Sequence, residues 1–192
     1  MVVLSFDVGI RNLAYCQVDT ETKDILDWFI LDCSVPKNGN VIVRLIEELE
    51  NTSNLLESDI ILIEKQPSFN PTMRIISTAI FVYFTLRLNY EQNKKTKILY
   101  YSAKNKLKLC NDTTSLQNKI EDKSEGTLRG KKGKRKSYYY NKKAAVEQTK
   151  ILLENKVKEL QSYDKFLTYF ENSKKKDDLA DCYLQALSYL YK

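Results

Sequence analysis

The spacing of apolar residues changes period several times along this chain, and each change marks an element. VVLSFDV, at 2–8, is a β-branched run that stops at Gly9, the form of a strand followed by a turn. NLAYCQV (12–18) and ILDWFILDC (25–33) repeat that character, so the first 33 residues predict a meander of three strands. Pro36, Asn38 and Gly39 break the pattern,. In VIVRLIEELENTSNLL, Ile42, Leu45, Ile46 and Leu49 then fall at helical spacing,. DIILIE (59–64) is short and continuously apolar, as in a strand buried on both faces. A loop marked by Pro67 leads to PTMRIISTAIFVYFTLRL, a long helical stretch with Pro71 in its first turn, and KILYYSA is a fifth strand,. Helical patterns resume at KKAAVEQTKILLENKVKEL and at DDLADCYLQALSYLYK, where Leu179, Cys182, Tyr183, Ala186 and Leu190 share one face,. The order β-β-β-α-β-α-β-α-α defines an α/β protein with a mixed five-stranded sheet flanked by helices. A chain of 192 residues suits one domain.

From Asn111 to about Lys136 no apolar period survives, and Asn, Ser, Thr, Gly and Lys dominate. The composition predicts a mobile insertion at about 111–137. Charge sharpens this division. Residues 1–93 carry 7 Lys+Arg against 13 Asp+Glu, residues 94–143 carry 16 against 4, and residues 144–192 carry 8 of each. Basic charge gathered in one block points to a polyanionic partner.

The chain contains no histidine, which excludes Ser-His-Asp and Cys-His catalysis and His-ligated zinc. Acid–base or metal chemistry must therefore use carboxylates, Lys or Tyr. Cys16, Cys33, Cys110 and Cys182 are dispersed and form no C-x-x-C pair, which suits an intracellular, reducing compartment. The chain opens directly into a strand pattern rather than a targeting segment. Its longest apolar stretch is broken by Ser77, Thr78 and Thr85, too polar to span a bilayer, so no membrane is expected.

Carboxylates recur at structural punctuation. Asp7 ends the first strand just before Gly9, and Glu64 ends DIILIE just before Gln66 and Pro67. Asp178 and Asp181 are three apart in the first turn of the last helix, so they project from one face, with Asp177 as its expected cap. Each has an ordinary reading: a turn residue, a solvated strand end, residues that offset a helix dipole. Asp181 resists it, because it sits between Ala180 and Cys182 on a strongly apolar helix. Oxygen ligands drawn from separate elements suit a hard cation such as Mg²⁺ or Mn²⁺, two of which can serve phosphodiester displacement.

SFDVGIRNLAY, ILIEKQPSFNPTMR and KKKDDLADCYLQAL, in this order, resemble the three acidic motifs of RuvC-type Holliday junction resolvases, in particular the branch of poxviruses and related large DNA viruses. The motifs agree in order, spacing and structural context, over nearly the whole chain apart from 111–137. The resemblance implies a ribonuclease H-like fold and a homodimer that makes Mg²⁺- or Mn²⁺-dependent paired incisions in four-way DNA junctions, with two metals per active site. It places the metal carboxylates on Asp7, Glu64, Asp178 and Asp181. It places a catalytic lysine after the fifth strand, at Lys106 in preference to Lys104. A viral origin would put the protein in host cytoplasm or virion. The basic insertion departs from the shorter bacterial pattern.

In RGKKGKRKSYYYNKK, six Lys/Arg fall within 129–136, followed by Tyr138, Tyr139 and Tyr140. Lys131, Lys132, Lys134 and Arg135, with Lys104, are expected to neutralise DNA phosphates, and the tyrosines to stack on unpaired bases. The alternative is a solvated loop and a helix start that packs inward. Two other functions fit the residues: a ribonuclease H-like nuclease acting on RNA–DNA hybrids or DNA ends, and a nucleic-acid-binding module with structural carboxylates. Two-domain ATPases that open with D-x-G need more glycine-rich phosphate loops than five glycines allow.

Overall fold

The computed structural model describes residues 1–105 and 131–191, and for 131–138 the backbone alone. Five strands form one sheet: β1 (Val2–Asp7), β2 (Leu13–Asp19), β3 (Ile25–Leu31), β4 (Ile60–Glu64) and β5 (Lys97–Tyr101). Their spatial order is β3-β2-β1-β4-β5, with the meander antiparallel and β1, β4 and β5 mutually parallel. The mixed sheet expected from the element order is therefore observed.

Alternation along the strands divides the apolar residues between two cores. Leu4, Phe6, Leu13, Tyr15, Ile61 and Ile63 face α1 (Val41–Asn51) and α2 (Pro71–Phe84). Val3, Ala14, Cys16, Val18 and Leu62 face α3 (Lys131–Glu159), α4 (Asp164–Asn172) and α5 (Lys176–Leu190). The helix of 164–172 was not among those expected. Its nine residues are too few for periodicity to declare it, and it is held by packing, with Phe170 stacked on Trp28 at 5.4 Å. α3 begins at Lys131, inside the segment where composition predicted mobility; the earlier part of that insertion lies outside the described residues. α2 continues into a π-helical turn over Thr85–Glu91. Cys16, Cys33 and Cys182 are buried thiols. No helix among the described residues is long and apolar enough to cross a membrane.

α5 is buried on nearly every side because it lies between the sheet and α3. Its position along β1 is set by Gln185, whose Nε2 donates to Ser5 Oγ at 2.9 Å and to the Phe6 carbonyl at 3.1 Å. The indole Nε1 of Trp28 donates to the Leu179 carbonyl at 3.1 Å, a second fixed point one and a half turns earlier. Buried donors and acceptors left unpaired cost about 1–3 kcal/mol each, so these bonds select one register for the helix.

Candidate active site

That register decides what faces Asp7. Parallel pairing joins Phe6 to Ile63, so the next residues, Asp7 and Glu64, stand side by side at the carboxyl ends of adjacent strands. Both follow residues of the α1/α2 face, so both project toward α5. Asp181 lies one turn before Gln185, and Asp178 three residues before Asp181, on the same side of the helix. All four carboxylates line one cleft of about 610 Å³. Ligand sites in parallel sheets lie beyond the carboxyl ends of the strands, and this cleft does so.

Two turns frame the cleft. A Cβ on Gly9 would come within 2.5 Å of the Asn12 carbonyl oxygen. Glycine is therefore required here for close approach of the backbone rather than for a positive φ, which no described glycine adopts. The β4–α2 loop closes with Asn70, whose Oδ1 accepts from the Met73 amide at 3.3 Å to cap α2, and with Pro71 at the first helical positions,. Gln66 Nε2 donates to the Glu64 carboxylate at 3.3 Å.

The acidic trio divides. Burial opposes the charge of Asp177, but the Lys142 ammonium, 2.5 Å away, outweighs it and holds this carboxyl below its ordinary range. Asp177 is not the cap: Lys175 occupies that position and makes no side-chain cap bond. Burial pushes the Asp178 carboxyl up, aided by the charges of Asp177 and Asp181 against those of Lys142 and Lys175. The Lys175 ammonium is 3.9 Å from Asp178. Among the described residues no three His, Cys, Asp or Glu side chains are gathered tightly enough to hold a metal as they stand. The four carboxylates line the walls of the cleft without closing on one point.

Lys104, in the short turn after β5, lines the cleft. Lys106 lies outside the described residues. Lys131, Lys132, Lys134, Arg135 and Tyr138 fall in the first turns of α3 with side chains outside the described set. Tyr139 and Tyr140 are exposed rather than packed inward, and do not line the cleft. Asn141 and Lys142 do, though the sequence did not single them out; helical phase relative to α5 is a tertiary property. Phe69, 85% exposed at the mouth of the cleft, was also missed. Its signal was present: a phenylalanine between Ser68 and Asn70, flanked by Pro67 and Pro71, has no periodic partners with which to be buried.

The sheet order and the helices on its two faces match the fold of solved Holliday junction resolvases of the RuvC type. Over 100% of this chain and 97% of its own, the fowlpox virus resolvase, solved as a complex with substrate Holliday junction DNA, superposes with a TM-score of 0.55 at 19% identity. The yeast mitochondrial Holliday junction resolvase Ydc2 covers 98% of this chain with 78% of its own at a TM-score of 0.58 and 19% identity. Thermus thermophilus RuvC, in complex with Holliday junction substrate, covers 100% with 94% of its own at 0.56 and 13%. In sequence, the chain is 32% identical over 153 residues to Uncharacterized protein L451 of Acanthamoeba polyphaga mimivirus. The match takes in 78% of this chain but only 33% of that protein's length. No protein-family model matches.

Proposed function

We propose that the chain is a structure-selective endonuclease that resolves four-way DNA junctions by hydrolysing phosphodiesters with Mg²⁺ or Mn²⁺. One observation carries this reading: four carboxylates from three separate elements line a single cleft together with two lysines, Lys104 and Lys142. The donor set fits a hard divalent cation, being all oxygen, with the Asp178 carboxyl pushed up chiefly by burial,. Asp7, Glu64, Asp178 and Asp181 would hold it. Once bound, two such ions stabilise the attacking and leaving oxygens of an in-line displacement. Lys104 binds the scissile phosphate from the β5 side, and Lys142 keeps Asp177 engaged so that Asp178 and Asp181 face the cleft. Phe69 offers a ring face to a base unpaired at the junction centre. The basic run at the start of α3 adds phosphate contacts that are independent of sequence.

Paired cuts in strands related by two-fold symmetry call for a C₂ dimer. α2 supports this: Ile76, Ile80 and Phe84 are buried, yet Ile75 and Val82 on its other side are exposed. With Ile42, Pro71 and Ala79, and beside Arg74 and Thr78, they line a groove of about 560 Å³, whose apolar residues a second copy would cover.

The test is cleavage of four-way junction, duplex, RNA–DNA hybrid and flap substrates in Mg²⁺ and in Mn²⁺. Junctions are expected to be cut in preference to all others. Asp7→Asn, Glu64→Gln and Asp181→Asn are each expected to abolish cutting while junction binding persists. Full activity in any of the three removes the site assignment, and preference for the hybrid replaces the substrate.

A further inference from the structure

A second hollow, of about 200 Å³, adjoins the cleft across Gln66, which lines both. The Lys65 amide donates to the Tyr101 carbonyl at 2.8 Å, so extended backbone continues one residue past β4. Alternation then sends Lys65 to the α2 face while Glu64 faces the cleft. On α2, Arg74, Ser77 and Thr78 follow at helical spacing and present a guanidinium and two hydroxyls to the same hollow,. Its far wall is the Tyr100 ring, held against Phe81 at 5.4 Å and nearly parallel to it.

The charge in this hollow is uncompensated. Arg44, Arg87, Lys142, Lys150 and Lys156 each have a carboxylate partner, whereas among the described residues Lys65 and Arg74 have none. Two cations and a threonine hydroxyl around one concavity are the donor types whose charge-assisted bonds recognise phosphate oxygens. Gln66 joins this hollow to the Glu64 carboxylate directly.

We propose that the hollow binds a backbone phosphodiester of the DNA strand that leaves the cleft, so that Lys65 and Arg74 fix the register of that strand. The proposal rests on the nuclease reading above. The contact carries no base information and acts by positioning.

The test compares Lys65→Gln/Arg74→Gln with the wild type in junction binding across a salt series without divalent ions. One phosphate contact contributes about 0.9 to the slope of log K against log salt. The double variant is therefore expected to lose about one unit of slope and to bind about eightfold more weakly at 0.1 M salt. A junction carrying single methylphosphonates is expected to weaken wild-type binding at a position flanking the cut where the variant is indifferent. Lys65→Arg/Arg74→Lys is expected to keep the wild-type slope, which separates lost charge from lost fold. An unchanged slope with an unchanged methylphosphonate profile in a wild type that cuts junctions overturns this inference alone. A wild type that neither binds nor cuts junctions overturns the nuclease reading with it.

Discussion

Neutralising Asp178 is expected to move stability in opposite directions depending on whether a divalent ion is present. Without metal, its charge is held among Asp177 and Asp181 on one side and Lys142 and Lys175 on the other. At 3.9 Å the Lys175 ammonium contributes an attraction of about 1 kcal/mol in water and about 4 kcal/mol at an effective dielectric of 20, and Asp181, three residues along the same helix face, contributes a repulsion of the same order. Two repulsions and two attractions largely offset, which leaves lost hydration as the net cost. The group stands on a cleft wall and keeps part of its water, so Asp178→Asn is expected to stabilise the metal-free protein by about 1 kcal/mol, less than removal of a fully buried ion would. For a chain of this length that raises Tm by about 2–4 °C. With Mg²⁺ at ten to a hundred times its dissociation constant, the wild type gains about 1.4–2.7 kcal/mol by mass action. The variant, short of one ligand, gains much less, and the order of the two melting temperatures reverses. Thermal unfolding with chelator and with 10 mM Mg²⁺ reads both signs without reference to cleavage. A variant less stable than the wild type in chelator, or one that gains as much from Mg²⁺, would refute the argument that a cation balances this cluster.

Phe69→Ala is expected to weaken binding to four-way junctions by about 1–3 kcal/mol, the worth of one stacked base, and to leave duplex binding nearly unchanged; equal losses on the two substrates would remove the stacking role. Val82→Glu places a charge on the exposed side of α2 and is expected to shift the protein to monomer in light scattering at micromolar concentration; a wild type that is already monomeric there would remove the dimer. Asp24 accepts from Lys156 at 2.8 Å and from Tyr163 at 3.0 Å, and the Lys156 bond holds its carboxyl below the ordinary range. Its contribution is therefore complete above the unfolded value of about 3.9 and is lost as pH falls through the lower folded value. Asp24→Asn is expected to cost up to about 1 kcal/mol at pH 7 and progressively less as pH falls below about 3.9, and a cost independent of pH would show that the ion pair is not the cause.

The secondary structure was legible because burial acts on the period of the sequence. All five strands and the helices at 41–51, 71–84 and 176–190 carry apolar residues at the spacing their geometry demands, and Asn70 and Pro71 mark a helix start by local chemistry alone. Asp7 and Glu64 were singled out as carboxylates at strand ends, and Asp178 and Asp181 as a pair on one face of a helix start, although each position also has an ordinary reading. Their convergence was not legible. It depends on Asp7 and Glu64 standing side by side in a parallel register and on Gln185 locking α5 to Ser5 and Phe6, bonds between residues up to 180 positions apart. The same holds for Lys142, which reaches Asp177 across 35 residues, and for Lys65 and Arg74, ordinary surface cations in sequence until strand alternation and helix phase bring them to one hollow. Period and local chemistry report what each segment is. Which charges meet is decided by long-range register, and that exists only once the sheet and its helices have packed.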